Sequence, residues 1–129
     1  MLDKEIVKDY IGKVENYLSD LGIEISYDED ISDSYCDLYW YTIHIPKKET
    51  VDYILFSLLH EGGHFLVESE NVYGSGVVDE VDTMINEVLA WEAGLDIVES
   101  CGIVIDREEY YNTSKVSLEK YLRAYRRKK

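Results

Sequence analysis

Proline occurs once in the 129 residues, cysteine twice and histidine three times, and each scarcity excludes something. One proline, eight glycines and no serine-rich run rule against a low-complexity or disordered chain, and the 46% hydrophobic content suits a folded core. Cys36 and Cys101 are a lone pair without metal-type spacing, so neither a disulfide framework nor a cysteine zinc site is expected. Reduced thiols in a cytoplasmic setting are the expectation. Apolar runs stop well short of the roughly 18 to 20 residues that span a bilayer, and the opening "MLDKEIVKDY" is charged where a signal peptide is apolar. No membrane partner is expected.

Positive charge is scarce over most of the chain. Residues 1–119 hold seven of the thirteen lysines and arginines against all twenty-seven acidic residues, and the net charge is −14. An acidic body repels nucleic acid and attracts cationic partners, so nucleic acid is not an expected partner. The carboxylates are scattered, without the periodicity of a phosphate backbone. The other six basic residues, Lys120, Arg123, Arg126, Arg127, Lys128 and Lys129, crowd the C-terminal end, where cations offset a helix dipole.

The length fits one domain, residues 1–129. Ile6, Tyr10, Val14, Tyr17 and Leu18 recur at helical spacing, which predicts a first helix over 3–19 ended by Gly22. "GIEISYDED" alternates as a short strand. "YCDLYWYTIHIP" is rich in strand-forming residues, reads as one long strand or a hairpin, and is stopped by Pro46. Helical periodicity returns from Val51 to Glu68. After a flexible "NVYGSG", residues 78–100 form another predicted helix, with Val81, Met84, Ile85, Val88, Leu95 and Val98 on its apolar face. A last helix is predicted over 107–127. The order argues for an α+β fold, with a short sheet built from the first half.

The chemistry concentrates in "ILFSLLHEGGHFLVESE", residues 54–70. Residues four apart on a helix share a face and lie about 6 Å apart along the axis, so His60 and His64 can grip one ion. Glu61, rotated by about 100°, brings a carboxylate beside that ion, where it can take a proton from a metal-activated water. Gly62 and Gly63 each cost roughly 1 kcal/mol in a helix relative to alanine, which suggests close approach of another element. A catalytic zinc site takes three protein ligands. His44, in a strand, reads as structural or substrate-facing, so the third ligand is sought among Glu87, Glu92 and Glu80, ranked in that order. Glu87 sits at the edge of the apolar face beside Trp91 and Gly94, and Glu92 nearer its middle.

"HEGGH" at 60–64 and "NEVLAWEAG" at 86–94 resemble the zincin metallopeptidases of the gluzincin type, and look like the small ImmA/IrrE-type and minimal gluzincin proteins. The resemblance covers residues 34–100. It implies a zincin-like fold in which a short mixed sheet packs on an active-site helix and a following glutamate-bearing helix, with helices at both ends. It also implies a Zn2+ ion on His60, His64 and Glu87, Glu61 as general base, and hydrolysis of a protein or peptide substrate. Two positions depart from the pattern: Gly62 replaces an apolar core residue, and Trp91 stands where thermolysin-like relatives carry an aspartate that orients a histidine. Tyr110, Tyr111 and Tyr73 are candidate donors to an oxyanion. The alternative is a zincin scaffold that works by binding or regulating another protein, without catalysis.

Overall fold

The computed structural model describes residues 3–70 and 80–127, which form four helices and a three-stranded mixed sheet in an α+β arrangement. Helix α1 (Lys4–Asp20) begins where the Asp3 carboxylate accepts the Glu5 N–H at 2.8 Å. Its end is a Schellman turn: Gly22, at φ +84°, donates to the Ser19 carbonyl, and Ile23 donates to that of Leu18. Leu18 and Ile23 are both buried there, the hydrophobic contact that accompanies this motif. The buried face of α1 is Val7, Ile11, Val14 and Leu18. Ile6 is exposed, and Tyr10 and Tyr17 flank the core instead of centring it.

"YCDLYWYTIHIP" resolves into a hairpin. Strand β2 (Tyr35–Asp37) pairs antiparallel with β3 (Thr42–Pro46), and β1 (Glu24–Asp28) pairs parallel with the other edge of β3, giving the order β1-β3-β2. Ile43 and Ile45 of the central strand are fully buried. The turn is fixed by Asp37, whose Oδ1 accepts the N–H groups of Tyr39 and Trp40 at 3.0 Å each. Tyr41 closes it at φ +50°, a left-handed conformation that costs a residue with a side chain roughly 1 to 2 kcal/mol.

Helix α2 (Val51–Glu70) starts at Thr50, whose hydroxyl accepts the Tyr53 N–H at 3.2 Å, and its core face carries Leu55, Leu58 and Leu59. It packs most extensively on α3 (Glu80–Cys101), which ends in a second Schellman turn at Gly102, φ +66°. Small residues set this packing. A Cβ at Gly63 would overlap the Ala90 carbonyl oxygen, and one at Gly94 would overlap the Tyr110 hydroxyl and lie 2.9 Å from the Leu59 carbonyl oxygen. Leu59 to Gly63 and Gly94 to Ala90 are single turns running in opposite directions, so the two helices are antiparallel and nearly touch backbone to backbone. Gly62 meets only the side-chain ends of Leu18 and Ile97, at 2.9 and 3.0 Å. The glycines therefore admit α3 on one side and the tips of core side chains on the other.

Helix α4 (Arg107–Arg127) is capped by Asp106, which accepts the Glu109 N–H at 3.1 Å, and it carries Arg126 and Arg127 in its last turn, where cations offset the dipole. No helix among the described residues is long and apolar enough to cross a membrane. The segment "NVYGSG" and the side chain of Val81 lie outside the described residues.

Candidate metal centre

The backbone contact between Gly63 and Ala90 brings the next faces of α2 and α3 together, and the polar groups meet there. His60 Nε2 lies 2.7 Å from Glu87 Oε2, and His64 Nε2 lies 3.2 Å from Glu87 Oε1. The two imidazoles, 4.8 Å apart between ring centres, thus point the same pair of nitrogens at one carboxylate. Glu61 reaches His60 from the other side, Oε2 to Nδ1 at 3.2 Å. Glu61 and Glu87 are only 5% and 7% exposed, rare burial for carboxylates, and both face histidine. His60, Glu61 and His64 each bring one ligand atom to within 4.8 Å of the others, a group that can hold a metal ion.

Burial works against a charged His60, but the hydrogen bonds its N–H groups donate to Glu61 and Glu87 outweigh it and hold the imidazole up at about 9. Burial raises the Glu87 carboxyl, whereas the hydrogen bonds of both histidines prevail and hold it well below the ordinary range. Two imidazoles and a carboxylate at that spacing are donors a divalent metal ion accepts, and Glu87 faces them from α3, which glycine and alanine bring close.

Trp91 lies flat on His60, ring centres 4.1 Å apart and planes 9° from parallel. Stacking therefore restrains the plane of the imidazole. Trp91 is itself held edge-on against Tyr110, whose hydroxyl donates to the Trp91 carbonyl at 2.6 Å.

Of the other candidates, Glu92 faces solvent, in contrast to the mid-face position inferred from periodicity. Ile85 and Val88 are exposed too, because the packed side of α3 runs through Glu87, Ala90, Trp91, Gly94, Ile97 and Val98. The side chain of Glu80, and all of Tyr73, lie outside the described residues. His44 is away from this group: its Nδ1 is 2.6 Å from Asp28 Oδ2 and its ring stacks on Tyr35 at 4.5 Å. The Ser26 hydroxyl first, and His44 second, hold the Asp28 carboxyl below its usual range. Tyr110 has its hydroxyl committed to the α3 backbone, and Tyr111 is exposed.

Two residues join the site without a signal in the sequence. Tyr121, on the C-terminal half of α4, donates to Glu87 Oε1 at 3.0 Å; burial, then the neighbouring Glu87, pushes its hydroxyl pKa upward. Cys36 of β2 is half-buried beside Glu61, and burial together with Glu61 pushes its thiol up to about 12. Strand β2 is itself tied to α2 where the Tyr53 hydroxyl accepts the Ser34 N–H at 3.2 Å. No family model matches the chain, and no curated protein or solved structure matches it either.

Proposed function

We propose that the chain is a zinc-dependent metallopeptidase with a zincin-like arrangement, His60, His64 and Glu87 holding the ion and Glu61 serving as general base. The observation that carries the reading is the convergence of both His Nε2 atoms on Glu87, with the buried Glu61 carboxylate alongside. A mixed sheet followed by a motif helix and then a glutamate helix supports the same reading.

Zinc held there would polarise a peptide carbonyl and acidify a water molecule. Glu61 accepts the proton of the attacking water and delivers it to the departing amine nitrogen. Tyr121, whose hydroxyl donates to Glu87 Oε1, holds that carboxylate in place. Trp91 keeps the His60 ring in the plane that aims Nε2 toward Glu87.

The test is cleavage of casein and of a mixed peptide pool by zinc-loaded protein, with and without a chelator. Glu61→Gln should keep the zinc and slow cleavage by roughly 10²- to 10⁴-fold. A zinc-loaded wild type that cleaves nothing, or a Glu61→Gln protein as active as wild type, would reject the catalytic reading.

A further inference from the structure

The tip of the β2–β3 hairpin has no role in the metal centre, yet it concentrates apolar surface. Leu38, Tyr39, Trp40 and Tyr41 are consecutive and 39%, 84%, 72% and 51% exposed. A mobile loop could carry such residues by accident of composition, but this one is pinned. Asp37 accepts two of its N–H groups, the Thr42 hydroxyl donates to the Trp40 carbonyl at 3.0 Å, and the Tyr41 carbonyl accepts the Glu24 N–H at 2.8 Å. Tyr39 and Trp40 also brace each other edge to face at 5.0 Å. Tyr41 keeps a bulky ring at a left-handed backbone position, where glycine or asparagine is the unstrained choice. The rings are thus presented rigidly to solvent, the property of an aromatic contact surface.

Charge identifies the occupant. Between Lys13 and Lys47 the chain has eight acidic residues and neither lysine nor arginine. Two of the acids sit at the base of the tip, because Asp37 and Glu24 flank Thr42 in register across the three strands. A guanidinium or ammonium group placed here meets aromatic faces and carboxylates together. Anionic phosphate groups, on nucleic acid or lipid, meet repulsion.

We propose that the hairpin tip is a docking surface for an arginine- or lysine-bearing protein segment, with Trp40 and Tyr39 as the contact rings and Glu24 and Asp37 as the countercharges. Tyr41 also packs on Phe65, the residue after His64, with ring centres 5.3 Å apart, so the surface adjoins the metal-binding helix. The docking does not depend on whether that helix supports catalysis.

The probe is a labelled peptide repeating Arg-Leu-Ser four times, with its Glu-Leu-Ser counterpart, titrated by fluorescence anisotropy at low and high salt. The full chain carries Glu61→Gln so that the peptide stays intact. The arginine peptide should bind and the glutamate peptide should not. Tyr39→Ser with Trp40→Ser should weaken binding at least tenfold. Asp37→Asn, which keeps the turn's acceptor, combined with Glu24→Gln should weaken it at least threefold and flatten the salt dependence. Glu108→Gln with Glu109→Gln, at the start of α4, should change it less than twofold. If the double serine variant fails to fold, Trp40→Phe decides: it should retain affinity within threefold while abolishing the change in tryptophan emission on binding. Equal binding of the glutamate peptide, unchanged affinity on loss of the rings, or an equal effect of the α4 pair would overturn the proposal. So would a dimer that Trp40→Ser dissolves in sedimentation, or uptake onto phosphatidylcholine vesicles.

Discussion

Replacing Gly63 by alanine adds one methyl group at the point where α2 and α3 meet, and the atom it strikes is the Ala90 carbonyl oxygen. That oxygen belongs to a helix backbone and cannot swing aside, so the helices must part. Overpacking of this kind costs about 1 to 3 kcal/mol, and an immovable neighbour puts Gly63→Ala at the upper end. Alanine's better helix propensity returns about 1 kcal/mol, leaving a net loss of about 2 kcal/mol. For a chain of this size that lowers the melting temperature by roughly 8 °C. Gly62→Ala is the internal control, because its new methyl meets the movable ends of Leu18 and Ile97 and gains the same propensity. Its stability should stay within about 1 kcal/mol of wild type. Thermal and urea unfolding of both variants, followed by circular dichroism, measures the difference. A Gly63→Ala protein as stable as wild type, or a Gly62→Ala protein that suffers more, would refute the backbone contact as the determinant of the site's geometry.

Tyr121→Phe removes a hydrogen bond to a buried carboxylate and should destabilise the protein by about 1.5 to 3 kcal/mol in urea unfolding; no change would mean that α4 is not anchored through Glu87. In the metal-free protein the His60 imidazole should titrate near 9 by histidine proton NMR, and Glu87→Gln should move that midpoint down. Since the folded value is raised above the ordinary 6.5, the His60 contribution to stability is complete below pH 6.5 and disappears as pH rises through about 9. Glu87 has the opposite sign: its contribution is present above its ordinary value of 4.5 and lost as pH falls through its lowered one. A His60 midpoint at or below 6.5 would remove the electrostatic account of the cluster. Trp91→Ala should weaken zinc binding about 10- to 100-fold, the usual effect of losing a group that orients a ligand, and unchanged affinity would show that the stack orients nothing.

What the sequence made legible was local. Helix-forming periodicity, the glycine after α1 and the spacing of His60 and His64 all depend on residues within a turn or two of each other, and the observed elements follow them. The sheet order did not follow, because β1 reaches β3 by parallel pairing across an intervening strand, and a non-local contact leaves no periodic trace. The inward side of α3 was misplaced for a different reason. Periodicity weighs large apolar residues, so Ile85 and Val88 looked internal, whereas the closest packing runs through Ala90 and Gly94, which weigh little. That same rotation takes Glu92 into solvent and leaves Glu87 against the histidines. Tyr121 was hidden among twelve tyrosines, distinguished only by a contact thirty-four residues away in sequence.

Zinc titration of metal-free wild type, His60→Ala and Glu87→Ala by calorimetry tests the central claim most directly. One zinc per wild-type chain is expected, with loss of most affinity in either variant and a native circular dichroism spectrum for at least one of them. A wild type that takes up no zinc, or a His60→Ala protein that binds it as tightly, would mean that these residues do not form a zinc site.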